Sequence, residues 1–450
     1  MNKQRALCVL LLVFFFVPLC ILMLYPAYHF PDMRTFFEWG EHFKINWRDI
    51  YVSCEQCNYP FLGTVFSAGI GQIFTDVAAR FGGDPYLEFR IVLAVLAGVN
   101  SLLVLSLLRL LKCAYPFLIT LLIAVLPSTF ILEYTWGNID GIVQFFLLGT
   151  LVCFAKSMLQ AEGSPWLQLL YVALGWLGFF SLPLVKQTSL FSLPALSLAG
   201  VYATACCWKA LPTKFRMFSL LPIPLSLGLF LLPDLFLHIP PPFHFHLEYI
   251  WLGGGSEHGN KISGNGFNIW MMLGRPMSAS SLEPFSHYKS WTPQRAGYVL
   301  FILAALVSLL WLFLATLRGR FIFAGQHMAT RRWFLVCVLL FLALSNLEFN
   351  LFLTGTHERY LAHFYPFLLV ALASLSSFGV NIRLRAFLGT VFMACLYGGF
   401  VSSIIWSPPR LLTFVSLHLF VGSLHLVLFT LLMLLCYDIL IGQKQRLALH

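Results

Sequence analysis

The sequence has 450 residues, of which 59% are hydrophobic and only 10% are charged, with a mean hydropathy of +0.82. Soluble domains carry about 25% charged residues, so this composition excludes an ordinary water-soluble enzyme. The net charge of +10 does not point to nucleic acid, because in a membrane protein the placement of Lys and Arg reports topology.

Apolar runs fall near 7–26, 61–79, 90–108, 115–132, 138–155, 166–183, 188–207, 217–237, 298–316, 333–353, 360–379, 386–405 and 411–440. Most are long enough as helices to cross about 30 Å of hydrocarbon. The N-terminal stretch "MNKQRALCVLLLVFFFVPLCILMLYP" has an apolar run too long for a signal peptide and no small-residue cleavage site, and reads as an uncleaved first span. If 61–79 also crosses, the basic connectors "RLLKC", "CCWKALPTKFR", "LRGRFIFAGQHMATRRW" and "NIRLR" fall opposite the basic N-terminus. With 61–79 lying along the outer membrane face as an amphipathic helix, all of them join "MNKQR" in the cytoplasm. The run carries Gly63, Gly69, Gly71, Gln72 and Asp76, as a surface helix would. The expectation is an all-α polytopic membrane protein of about 12 transmembrane helices with both termini cytoplasmic.

On that topology the remaining polar features gather on the outer side. Asp32 follows the first span in "YHFPDMRTFFEWG", where it either caps a helix or serves as a general base near the membrane surface. The loop continues to "CEQC", whose Cys54 and Cys57 read as a local disulfide on an oxidising side or as free thiols. A zinc site lacks a second Cys/His pair at suitable spacing. Most of the other nine cysteines of eleven fall in or at the ends of apolar runs, where Cys behaves as a small hydrophobe.

"YTWGNIDGIVQFF" puts Asp140 at the outer start of a span, and "LPLVKQT" puts Lys186 at an outer end, where positive charge is disfavoured. An anionic ligand explains such a lysine; snorkelling to the interface is the other reading. The long loop near 238–297 contains "WLGGGSEHGNKISGNGFNIWMMLGRP", glycine-rich enough for a cover over a site or a plain linker, with "NIW" suggesting a re-entrant turn or short helix. In "GTHERYL", Arg359 can grip a phosphate bidentately and His357 can donate to it, with Glu358 orienting either; an internal salt bridge is the alternative. No GxGxxG, Walker A, HExxH or GxSxG pattern stands in a supporting context.

An Asp just past the first span, an aromatic loop ending in "YPFLG" and Arg90 opening the next helix together resemble the GT-C superfamily, integral-membrane glycosyltransferases that use polyprenyl-phosphate sugars. "WGNID", "KQT" and "SGNGFNIWMM" look like elements of its bacterial mannosyl- and glucosyltransferase-like members, and "THERYL" is similar to their H-E-R-Y. Two departures stand: "YPF" replaces the usual "YPP", and Glu38 rather than an adjacent acid follows Asp32. The likeness covers about 7–380 and implies a catalytic module over 1–380, with outer loops 27–89 and 238–297, followed by C-terminal helices over 381–450.

The resemblance implies an inverting hexosyl transfer from a polyprenyl-phosphate sugar to a glycan or glycolipid acceptor. Asp32 is then the base, and Lys186, His357 and Arg359 hold the donor phosphate. Asp140, Glu358, Tyr360, Asn265, Asn268 and Trp270 are supporting or acceptor residues, with Asp140 at the acceptor or orienting Lys186 where it is not simply a helix cap. It implies no metal and no cofactor, and as partners only the lipid-linked donor, the acceptor and membrane lipids. Compact loops lean towards a bacterial inner membrane, with the active site periplasmic. A lipid-linked-sugar flippase or transporter, and an O-antigen ligase or polymerase, are the competing readings.

Overall fold

A computed structural model describes residues 3–24, 31–54, 57, 59–159, 164–237, 260–264, 266–275, 278–285, 290–378, 383–406 and 411–441. Apart from two-residue strands and short loops, the described chain is helix throughout. In lipid this is dictated by the backbone, whose N–H and C=O groups have no water to bond and must pair within each segment.

Ten of the described helices are long and apolar enough to cross a bilayer. A further pair, Pro116–Val125 and Pro127–Thr135, passes together but is bent by 59°, which makes up to eleven. Shorter apolar helices are found at Val13–Leu24 and Arg359–Leu375. The chain is thus an all-α polytopic membrane protein. Phe61–Phe81 is among the ten, at the lowest mean hydropathy of the set, 1.3, so length and composition alone do not exclude a crossing there.

Prolines start many of these helices, as expected where the missing N–H is not needed: Pro116, Pro127, Pro165, Pro222 and Pro293 each stand in the first turn. Ser164 and Thr292 add side-chain caps, accepting from Trp166 N at 3.3 Å and Arg295 N at 3.2 Å. Small residues then set the crossings, because close backbone approach is what packs helices in lipid. A methyl group at Gly40 would lie 3.0 Å from the Ala68 carbonyl oxygen, and one at Gly71 would lie 3.1 Å from that of Phe36. Pro31–Asn46 and Phe61–Phe81 are therefore in near backbone contact.

The contacts divide the chain into two compact units: residues 1–110 with 115–256, and 111–114 with 257–450. In the first, Asp140–Leu159 packs on Pro165–Val185, Pro85–Leu110 and Leu193–Ala210. In the second, His327–Phe352 is the central element. It packs on Pro293–Ile322 and Phe364–Leu375, and its spanning window is wholly buried. This helix nonetheless carries Asn346, Glu348 and Asn350, all buried. Glu348 accepts from Ser308 Oγ at 2.5 Å, in keeping with the rule that polar groups at membrane depth face protein and find partners.

Candidate functional site

In the first unit four polar side chains from three separate stretches converge. Asp32 lies in the first turn of Pro31–Asn46 and is half-buried. Its Oδ2 accepts from Asn138 Nδ2 at 2.7 Å. Asn138 turns its own Oδ1 to Lys186 Nζ at 3.4 Å, and Lys186 Nζ contacts Asp140 Oδ1 at 2.6 Å. Lys186 and Asp140 are only 2% and 1% exposed, so neither reaches water. The ammonium also stands 5.5 Å from the centre of the Tyr59 ring, a cation–π distance.

Local backbone explains the convergence. Ile131–Thr135 is a single π-helical turn closed by Trp136 N to the Ile131 carbonyl at 2.8 Å. Gly137 follows at φ +78° and presses on Met33, so a side chain there would meet both strain and the Met33 sulfur. That glycine turns Asn138 and Asp140 to the same neighbours, and Asp140 opens the next helix. Lys186 is extended, at φ −157° and ψ 137°, immediately after Pro165–Val185. The Val185 carbonyl before it abuts Gly63, where a Cβ would collide with it. Tyr59 is fixed by its carbonyl, which accepts from Tyr51 Oη at 2.9 Å and Thr64 Oγ1 at 2.8 Å. Just upstream Cys54 and Cys57 are joined by a disulfide. Glu38 lies apart from the cluster, on an exposed face, in an ion pair with Arg34 at 3.0 Å.

Lys186 is therefore neither snorkelling nor an open cation. Its charge is met by Asp140, and its remaining reach orients Asn138 against Asp32.

The second unit holds the "GTHERY" corner. Thr356–His357 pairs in parallel with Ser263–Gly264, and Gly266 N donates to the Thr356 carbonyl at 2.8 Å. Asn268 is fully buried: its Nδ2 donates to the Ile262 carbonyl at 2.7 Å and its Oδ1 caps the short helix Ile269–Met272. Trp270 Nε1 donates to the Phe352 carbonyl at 2.8 Å. Both side chains brace backbone. His357 and Arg359 are half-buried, and the His357 ring meets that of Tyr360 edge-on at 5.3 Å. Tyr360 is stacked on Phe349.

The described part of the expected cover or linker, 260–264 and 266–275, is tied down by these bonds, and Ile262 N also bonds the Ala279 carbonyl at 2.9 Å. Its glycine-rich start, Asn265 and the side chain of Glu358 lie outside the described residues.

Sequence reasoning did not single out Asn138, Tyr59, Phe267, His418 or His425. The signal for Asn138 was its place between a turn glycine and Asp140; for the histidines it was two polar residues seven apart on an apolar helix. Among the described residues, no group of three or more His, Cys, Asp or Glu is placed to hold a metal ion. Set against protein-family models, curated proteins and solved structures, the chain has no significant match to any of them.

Proposed function

We propose that the protein is an inverting, membrane-embedded glycosyltransferase of GT-C type. It would move a hexose from a polyprenyl-phosphate sugar to a glycan or glycolipid acceptor. The observation that carries this reading is the half-buried Asp32 carboxylate, oriented by Asn138 and backed by a desolvated Lys186–Asp140 pair. A carboxylate held in one direction beside a membrane surface suits general-base work, where geometry comes first.

Asp32 takes the proton from the acceptor hydroxyl as its oxygen bonds to the anomeric carbon. The bond from that carbon to the phosphate oxygen breaks on the opposite side, and polyprenyl phosphate leaves with the electron pair. Lys186, Asn138 and Asp140 act through Asp32 as positioning residues. His357 and Arg359 are assigned to the leaving phosphate by their chemistry, since guanidinium and imidazole donors stabilise charge that grows on a leaving oxygen. The Cys54–Cys57 disulfide supports the outer side for this loop, because cytosolic thiols are kept reduced. With it go the non-crossing placement of 61–81 and cytoplasmic termini.

The test is a transfer assay in proteoliposomes with labelled polyprenyl-phosphate hexoses and a membrane-lipid acceptor pool. Label entering product with wild type, lost in Asp32→Asn and reduced in Arg359→Ala, supports the reading and names the sugar. Transfer that survives Asp32→Asn removes the base.

One observation favours a flippase instead. The bent pair Pro116–Val125 and Pro127–Thr135 places buried Glu133 in a broken segment, and transporters build sites on broken helices. Donor binding and transbilayer movement without transfer from any donor would put that reading first.

A further inference from the structure

We propose that the last described helix, Leu411–Ile441, positions the Thr356–His357 strand by gripping Phe267 and Gly266. The coupling itself is mechanical; its effect on transfer rests on the glycosyltransferase reading above.

The grip is a stack of rings inside the second unit. Phe267 is 1% exposed. Its ring lies nearly parallel to that of His418, 4.6 Å between centres and 20° between planes, and also parallel to that of His425 at 5.7 Å. Tyr397 and Phe400, from Arg383–Trp406, close the sides at 5.8 and 5.4 Å in edge-on contacts. Such pairs stabilise beyond the area they bury.

The two histidines are held in defined roles. His425 Nδ1 bonds the Val421 carbonyl at 2.7 Å, so it carries a hydrogen and leaves Nε2 to accept from Tyr365 Oη at 2.6 Å. His418 Nε2 lies 2.8 Å from the Gly266 carbonyl and, facing an acceptor, must donate.

From there the link to the HERY corner is one residue long. Gly266 offers its carbonyl to His418 and its N–H to the Thr356 carbonyl. A side chain at Gly266 would run into Thr356 backbone, so the two segments touch. Ser263 Oγ and Asn268 Nδ2 add bonds to the Thr356 carbonyl and hydroxyl at 3.3 and 3.4 Å. Thr356 precedes His357, and Arg359 follows two residues later. His418, His425 and Phe267 act on the corner through Gly266, which makes them positioning residues. The C-terminal helices are then part of the working module and not an appendage to it.

The test is amide hydrogen exchange on the full-length protein in detergent, read at Gly266 and Gly355, whose N–H groups bond the Thr356 and Ile262 carbonyls. In His418→Ala and Phe267→Ala both amides should exchange about tenfold faster or more, with the core of His327–Phe352 unchanged. His418→Gln, which restores an N–H donor, should recover protection. Unchanged exchange at both amides in both variants overturns the proposal, and so does failure of His418→Gln to recover it. If His418→Ala exchanges everywhere and has not folded, Phe267→Leu decides. It keeps apolar volume and loses the ring stack, so faster exchange at the two amides sustains the grip and no change overturns it. In the transfer assay the same variants should raise the KM for the lipid-linked donor with little change in kcat. A wild type that transfers from no donor defeats the glycosyltransferase reading, and the exchange result still decides the grip.

Discussion

The Lys186 corner and the Thr356 corner are both buried and polar, and they are built in opposite ways. The first gathers three ionisable side chains, two of them at helix starts and one just past a helix end, and cancels charge with charge. The bonds that tie the second down are neutral, made by a hydroxyl, an amide and an indole to backbone carbonyls. A neutral bond lost from a buried network costs about 1 kcal/mol. An ion pair broken on one side leaves a charge with no water and no partner, at a cost of about 3–5 kcal/mol. The charged corner is thus costly to alter, and the neutral one can be trimmed in steps.

The comparison can be broken most sharply at Asp32. Asp32→Asn keeps an acceptor for Asn138 and should leave thermal unfolding nearly unchanged, while transfer falls by about 10²–10⁴-fold, the usual worth of a general base. Equal losses of stability and rate would make Asp32 a structural cap. Next is Lys186→Met, which strands Asp140. The expected loss is about 3–5 kcal/mol of stability, read as a lowered unfolding midpoint. Lys186→Met with Asp140→Leu should recover most of that stability and none of the transfer. A double variant no better than the single would show that the pair is not the source of the cost.

Gly137→Ala tests the turn between those residues. A left-handed non-glycine residue costs about 1–2 kcal/mol, and crowding of Met33 adds to it. A loss of about 2 kcal/mol or more is expected, and a neutral result would mean the turn relaxes. The smallest effect belongs to the neutral corner. Ser263→Ala removes little but the hydroxyl that donates to the Gly266 carbonyl at 2.9 Å and should cost about 1 kcal/mol. A loss as large as that of Lys186→Met would erase the distinction between the two corners.

Much of this was legible in the sequence because membranes impose simple rules. Apolar runs of sufficient length marked the helices, and the conspicuous ions Asp140 and Lys186 marked one corner before their contact was known. Their pairing was legible only as one of two roles for Asp140, at the acceptor or orienting Lys186, since nothing in "WGNID" and "LVKQT" states a distance between them. Lys186 therefore read as a cation awaiting an anion, and Asn138 escaped notice because a neutral amide carries no topological penalty. The long loop near 238–297 reads as a cover or linker on its glycines, and of its glycine-rich stretch the structure describes 260–264 and 266–275. Its Ser263, Asn268 and Trp270 instead tie it down, because their polar atoms reach backbone partners distant in sequence. His418 and His425 were hidden by an apolar context, where a histidine most often serves packing, as these two largely do.

The helix His327–Phe352, buried from Trp333 to Leu351, has a consequence for how the protein is made. Taken alone it would have to enter the bilayer with Asn346, Glu348 and Asn350 facing lipid, and polar and acidic side chains in a span are costly unless they find partners. Ser308, on the helix synthesised just before it, meets Glu348. The expectation is that the two helices from Pro293 to Phe352 enter the membrane together as a hairpin. Glycosylation-site mapping of insertion should show His327–Phe352 entering poorly alone, well behind Pro293–Ile322, and better alone once Glu348 is replaced by Gln. The order of synthesis, as well as the final packing, is what lets this chain carry a carboxyl group into the membrane.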